Sequence, residues 1–242
     1  MWPTIGSTSG RPLLVAHRGG AFLAHGDVLE GVRRLASLRA DAVEFDVRRT
    51  ADGTLIVHHD EAVNGRSINH WNYRALREYY ENVPTLTNVL DEIDRHMALD
   101  VELKEPGYEA DVVSEVCAAV EKHRVIVTSF SDDAVRAVKD LAPEIPVGLI
   151  VGRRPTMRRP WDSVRDMIPF ERLRRCQADF LAPSIYLRVT GLFQRARTQH
   201  VPLLLWTVSR PAAVNRYLHE PGVLGVVTNA PEALRRGQQS SS

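Results

Sequence analysis

Short apolar runs rich in valine, isoleucine and leucine alternate along this chain with longer segments whose apolar residues recur at helical spacing. This alternation indicates βα units that build a parallel sheet. The predicted strands are residues 13–17, 42–47, 98–104, 125–130, 146–151, 179–185, 202–208 and 224–229. The predicted helices are residues 27–39, 85–96, 108–123, 131–142, 161–176, 190–200, 211–220 and 230–236. Eight strand and helix pairs predict an α/β fold, the (β/α)₈ or TIM barrel, as a single domain over residues 1–242 with its core at about 11–237.

Short local signals support several of these boundaries. Asp27 followed by Glu30 predicts a capped helix start, and Ser131 can cap a later helix. After a turn at residues 52–53, the stretch TLIVHHD at residues 54–60 predicts an extra hairpin arm on the second strand.

Two of the predicted strands carry acids on one face only. Glu44 and Asp46 lie one residue apart in AVEFDV, so their side chains share a face while apolar residues occupy the other. The next predicted barrel strand repeats the pattern with Asp100, Glu102 and Lys104. The apolar faces suit the surrounding helices, so we expect the charged faces to point into the barrel, where enzymes of this fold build their sites.

The paired acids allow three interpretations. As the acid and base of a glycosidase they are badly placed, because neighbours on one strand point in parallel and do not flank a bond. As ligands they suit a hard divalent cation such as Mg²⁺ or Ca²⁺, since carboxylates cluster here and no cysteine is near. The remaining alternative is a buried network of ion pairs with the many arginines.

Further polar and aromatic residues follow other predicted strands. His17 and His59 can divide the roles of acid and base near neutral pH, and Arg18 supplies positive charge for an anion. Together with a metal, these groups indicate phosphoryl chemistry. Phe130 and Trp206, at the ends of two later strands, are the candidates for the substrate pocket.

Composition narrows the possible partners. The net charge is +1, which gives no support for a nucleic acid partner. Only three of the 31 basic residues are lysines, so a lysine at position 104 suggests that a compact point charge is needed there. The two cysteines match no metal or redox spacing, and no run of apolar residues resembles a signal peptide or a transmembrane segment. We therefore expect a cytoplasmic protein that acts on a small molecule.

The chain resembles the glycerophosphodiester phosphodiesterase family, a group of metal-dependent (β/α)₈ barrels. The resemblance lies in VAHRGG, ADAVEFDVRRTADGTLIVHHD, VPTLTNVLDEI, DVELKEP, LLLWTVS and GVLGVVTNAPEAL, which occur in the family's order from about residue 13 to 235. It implies that a glycerophosphodiester or a related small phosphodiester is hydrolysed to an alcohol and a phosphomonoester, by way of a cyclic phosphate.

The resemblance also implies a role for each matching residue. The implied metal ligands are Glu44, Asp46 and Glu102. The implied general acid and base are His17 and His59, with His58 in a supporting role. The implied phosphate-binding cations are Arg18 and Lys104.

Departures from the family pattern leave other functions open. Gly26 stands where the family has the glutamate of a Pro-Glu-Asn-Thr motif, with Asp27 as its neighbour, and Asn229 stands where an aspartate is usual. One alternative is a phospholipase D-like lyase that releases a cyclic phosphate, as in the related sphingomyelinase D group. The other is a barrel that binds or converts a phosphorylated or pyrophosphorylated ligand without diesterase activity.

Overall fold

The computed structural model describes residues 11–38, 40–94, 96–152 and 168–230. The strands in this part of the chain are β1 Leu13–Ala16, β2 Ala42–Arg49, β3 Leu55–Val57, β4 Ala62–Val63, β5 Arg66–Ser67, β6 Ala98–Leu103, β7 Val125–Ser129, β8 Val147–Val151, β9 Phe180–Pro183, β10 Leu203–Leu205 and β11 Val223–Thr228. The α-helices are α1 Val28–Leu35, α2 Tyr73–Tyr79, α3 Leu86–Glu92, α4 Glu109–Ala119, α5 Asp132–Leu141, α6 Pro169–Cys176, α7 Leu192–Thr198 and α8 Pro211–Tyr217. Short 3₁₀ segments occupy His17–Leu23, Ile68–His70, Lys122–Arg124 and Ile185–Thr190.

Eight of these strands close into a parallel barrel in the order β1, β2, β6, β7, β8, β9, β10 and β11. The ring closes because β1 pairs in parallel with both β11 and β2. The predicted (β/α)₈ barrel is therefore confirmed. Of the predicted helices, residues 161–167 and 231–236 lie outside the described residues.

The strands separate two apolar layers. The larger layer fills the space between the strands and the helices, and Phe45 and Leu103 are among its buried members. The smaller layer fills the barrel interior, with Val15, Ile126 and Phe180 among its members. The lower part of the barrel is thus a packed core, as is usual for this fold.

The predicted arm is confirmed, because β3 pairs antiparallel with β2 and Val57 lies opposite Val47. The chain then makes an excursion that includes β4, β5 and α2. It has a small core of its own, formed by Ile56, Ile68, Leu76 and Val83. The sequence pattern did not predict this excursion, since strands of two residues are too short to show a period.

Two predicted caps are confirmed. The Asp27 side chain accepts a hydrogen bond from the Glu30 amide (3.0 Å) at the start of α1, and Ser131 accepts from the Ala134 amide (3.3 Å) at the start of α5. The Asp27 side chain therefore stabilises the start of α1.

The loop after β1 turns sharply across the carboxyl end of the barrel. Arg18, Gly19 and Gly20 have positive φ angles of 54°, 61° and 70°. Helix α1 packs closely against this turn, and a Cβ on Gly31 would lie 2.6 Å from the Gly19 carbonyl oxygen. The glycines are needed for this close approach, which places His17 and the Arg18 amide over the barrel mouth.

Candidate active site and metal centre

The register of two strands brings the acids of the sequence motif together. Glu44 on β2 lies opposite Asp100 on β6, and Asp46 lies opposite Glu102. All four side chains are buried inside the barrel. Single carboxylate oxygens of Glu44, Asp46 and Glu102 lie within 4.8 Å of one another. The predicted trio is thus assembled in space by strand pairing.

Glu44 is the least compensated member of this trio. Its Oε2 accepts a hydrogen bond from the Arg18 backbone amide at 2.8 Å, while the buried Oε1 has no hydrogen-bond partner among the described residues. Burial, followed by the charges of Asp46 and Glu102, raises the pKa of Glu44 well above its ordinary value. A buried oxygen without a partner in a cluster of like charges is suited to a cation.

Lys104 supplies the positive charge next to the trio. Its Nζ lies 2.6 Å from Asp46 Oδ1 and 2.6 Å from Glu102 Oε1. Burial alone would lower the pKa of Lys104 and raise that of Asp46, but attraction between charges outweighs burial at both groups. The charges of Glu102 and Asp46 raise the pKa of Lys104 to about 12. The charge of Lys104, assisted by His59, lowers the pKa of Asp46 to about 2. A single ammonium cannot neutralise three carboxylates.

The trio fits a divalent cation by three observations. The donors are carboxylate oxygens, which Mg²⁺ and Ca²⁺ prefer. Their oxygens converge within 4.8 Å. One of these carboxylates has an oxygen with no partner in the described part of the chain. Glu44, Asp46 and Glu102 can therefore hold a divalent metal ion.

Asp100 lies one step deeper in the barrel than Glu102. It accepts a hydrogen bond from Thr128 Oγ1 at 2.8 Å. Burial raises its pKa to about 7, and the charges of Glu102 and Asp46 act in the same direction. Asp100 is therefore held by a neutral hydroxyl in the floor of the site.

His17 follows β1 and lies at the edge of the trio. Its Nδ1 donates to the Asn229 side-chain oxygen at 2.8 Å, and its Nε2 lies 3.8 Å from Glu44 Oε2. Burial, assisted by the positive charge of Arg18, lowers the pKa of His17 to about 4. The ring is therefore neutral near pH 7 and has one nitrogen available to accept a proton.

His59 follows β3 and is oriented differently. Its Nδ1 lies 2.7 Å from Asp60 Oδ1, and Asp46 and Lys104 both influence its pKa, which burial lowers. The neighbouring His58 instead packs edge-on against Tyr80, with the ring centroids 5.9 Å apart. The two adjacent histidines therefore have different surroundings.

The remaining predicted residues lie around the barrel mouth. The Arg18 side chain is exposed, although its backbone amide binds Glu44. The Phe130 and Trp206 rings meet edge to face with centroids 5.7 Å apart, and Trp206 Nε1 donates to the Ala182 carbonyl at 2.7 Å. Both rings pack on the apolar interior layer.

Sequence reasoning missed the roles of Arg48 and Asn229 at this site. Arg48 continues the inward face of Glu44 and Asp46, so the same alternation could have identified it. Asn229 was visible only as a departure from the family pattern. Its contact with His17 spans 212 residues of sequence, and only the closed barrel brings them together.

Gly26, which replaces the family's glutamate, lies in an exposed loop before α1. Gly26 is exposed and has a φ of +99°, in the region that favours glycine, and a Cβ there would meet nothing within 4 Å. Asp27 cannot take over from the missing glutamate without releasing its cap on α1. The loop therefore offers no acidic side chain at position 26, and its backbone there has a conformation that favours glycine.

Comparisons with known proteins find similar sequences over most of this chain. The model of the "Glycerophosphoryl diester phosphodiesterase family" matches residues 17–233. A glycerophosphodiester phosphodiesterase of Caldanaerobacter subterraneus subsp. tengcongensis is 28% identical over 246 residues, which cover 93% of this chain and 96% of that protein. One from Bacillus subtilis is 26% identical over 262 residues, which cover 93% of this chain and 86% of that protein.

Solved structures share the fold. A phosphodiesterase of Oleispira antarctica in complex with the product sn-glycerol-3-phosphate superposes with a TM-score of 0.77 at 22% identity, covering 96% of this chain and 98% of that one. A glycerophosphodiester phosphodiesterase of Parabacteroides distasonis gives a TM-score of 0.75 at 22% identity, covering 95% and 98%. Within the described ranges, no helix is long and apolar enough to cross a membrane.

Proposed function

Because this chain belongs to the glycerophosphoryl diester phosphodiesterase family, we propose that it hydrolyses a glycerophosphodiester or a related small phosphodiester with the help of Mg²⁺ or Ca²⁺. The products are an alcohol and a phosphomonoester, for which the sn-glycerol-3-phosphate bound by the Oleispira antarctica enzyme is the template. The observation that carries the proposal is the buried carboxylate trio, with His17 in contact at its edge and Lys104 bonded to it.

In this proposal Glu44, Asp46 and Glu102 hold the metal ion. When bound, the ion supplies positive charge that polarises a phosphoryl oxygen and stabilises charge in the transition state. The convergence of the three carboxylates and the unpartnered Glu44 oxygen support this assignment.

Two histidines move the protons. The Nδ1–H of neutral His17 donates a hydrogen bond to Asn229. Nε2 is therefore free to accept a proton from the attacking hydroxyl. His59, whose Nδ1 is bonded to Asp60, acts in its protonated form and donates the proton of Nε2 to the leaving alcohol oxygen. Attack by a neighbouring hydroxyl of the substrate gives a cyclic phosphate, and water then opens it with the two histidines in exchanged roles.

Positive side chains and two aromatic rings complete the proposed site. Lys104 and Arg18 bind the phosphate oxygens, and Phe130 and Trp206 form an apolar wall for the alcohol. Cys117 and Cys176 are both unpaired, which is typical of a reducing compartment, so we include a cytoplasmic location in the proposal.

The test is a product assay. Purified protein with Mg²⁺ or Ca²⁺ is incubated with glycerophosphocholine, glycerophosphoethanolamine, glycerophosphoglycerol and a lysophospholipid, and the products are followed by ³¹P NMR. We expect a phosphomonoester signal that disappears with EDTA. A cyclic phosphate that persists would indicate a lyase instead of a hydrolase. Binding measured by calorimetry without turnover would indicate a binding protein.

A further inference from the structure

Arg48 is a buried arginine that the proposed mechanism does not use. It continues the inward face of β2 beyond Glu44 and Asp46, and its side chain is only 8% exposed. A buried guanidinium is costly unless its donors are engaged, so its partners indicate its function.

Both sides of the Arg48 guanidinium are occupied. Nε and Nη2 donate to the His59 carbonyl oxygen at 3.3 and 3.0 Å. Nη1 forms an ion pair with Glu105, which follows β6 directly after Lys104. Arg48 thus joins the loop that carries His59 to the loop that carries Lys104.

A second layer holds Glu105. The Tyr108 hydroxyl lies 2.9 Å from Glu105 Oε2 and 2.8 Å from the Val47 carbonyl, and it accepts from the Glu105 amide at 3.1 Å. Tyr108 is buried. The chain of contacts therefore runs from the His59 backbone through Arg48 and Glu105 back to β2.

The contacts of the His59 peptide group and ring differ in burial. β3 ends at Val57, and the last main-chain bond before His59 is from the His58 amide to the Asp46 carbonyl at 2.9 Å. The His59 ring contacts Asp60, whose side chain is 73% exposed and therefore a weak anchor. Arg48 provides the buried contact to the His59 peptide group.

We propose that Arg48, braced by Glu105, is a positioning residue that fixes the main chain of His59 so that its ring stays aligned with the metal site. The inference rests on the proposed function, because it assigns the ring of His59 a role in the reaction. The competing idea, that Arg48 binds the substrate phosphate, conflicts with its burial and with its donors already directed at His59 and Glu105.

The test compares Arg48→Met and Arg48→Lys with Arg124→Met. Arg124 also donates to main-chain carbonyls, those of Asp94 and Met97, but at the amino end of the barrel. Misalignment of a reacting group by about 1 Å can cost on the order of a hundredfold in rate. For R48M we expect kcat to fall about tenfold to hundredfold with KM changed less than about threefold, partial recovery in R48K, and wild-type kcat in R124M.

A spectroscopic measurement keeps the inference separate from the proposed function. In ¹H–¹³C spectra of histidine-labelled protein, R48M should shift or broaden the His59 ring signals and leave those of His17 unchanged, while R124M should alter neither. Unchanged His59 signals in folded R48M would overturn the inference, even if wild-type protein hydrolysed no diester. A rise in KM with unchanged kcat would also overturn it, because that result indicates direct substrate binding. If R48M does not fold, Glu105→Gln decides by the same measurements.

Discussion

Glu44 should destabilise the metal-free protein and should be required for tight metal binding. Its oxygen lies within 4.8 Å of oxygens of Asp46 and Glu102. At an effective dielectric constant of about 20, two unit charges at that distance repel by about 3 kcal/mol. Lys104 offsets part of this repulsion, so we expect Glu44→Gln to stabilise the metal-free fold by about 1–3 kcal/mol. In a chain of this length, that corresponds to a rise in Tm of roughly 2–12 °C.

The sign of the pH dependence follows from the raised pKa of Glu44. A carboxyl whose folded-state pKa is raised stabilises the fold below its ordinary pKa, and that stability is lost as the pH rises through the folded-state value. The advantage of E44Q in EDTA should therefore grow as the pH rises above 4.5, the ordinary pKa of a glutamate.

A divalent cation should reverse the order of stability. At a concentration of about 100 times its Kd, a ligand stabilises the fold by about 2.7 kcal/mol, or roughly 5–10 °C here. Loss of a carboxylate ligand should reduce metal affinity by at least about tenfold to hundredfold and remove most of that rise.

The assay is thermal unfolding of wild type and E44Q in EDTA and in Mg²⁺ or Ca²⁺. Asp140→Asn is the matched control, because it makes the same change of carboxylate to amide in an exposed pair with Arg136. Repulsion at Glu44 is ruled out if E44Q is destabilised in EDTA, and metal binding by Glu44 is ruled out if E44Q keeps the wild-type rise in Tm with metal.

Three further predictions concern the histidines and the barrel interior. His17→Ala and His59→Ala should each lower kcat by at least about a hundredfold in the product assay while the metal-induced rise in Tm remains, and retained activity would remove that histidine from the mechanism. Because the pKa of His17 is lowered from 6.5 to about 4, the free energy of unfolding of the wild type should fall as the pH drops between these values. Urea titrations at pH 5 and 7 should show a smaller fall for His17→Gln. Gly148→Ala should destabilise by about 1–3 kcal/mol in the same titrations, because the Phe180 ring fills the space of the added Cβ, and Phe180→Leu should restore part of the loss.

The sequence alone determined the barrel and most of the candidate site. Eight strand and helix pairs are a local pattern, and each depends on apolar periodicity that can be counted along the chain. The shared face of Glu44 and Asp46 follows from the two-residue period of a strand. His59 was preferred over His58 from its motif, and the structure gives the two rings different surroundings.

Only the tertiary structure decided how these residues act on one another. Pairing of β2 with β6 set Asp46 opposite Glu102, and barrel closure brought Asn229 to His17. Arg48 had the same strand period as the acids, but its partners His59 and Glu105 lie on separate loops. The physical reason is that a sequence pattern records which face a side chain occupies, whereas distances, burial and pKa values depend on elements that meet only after the barrel closes.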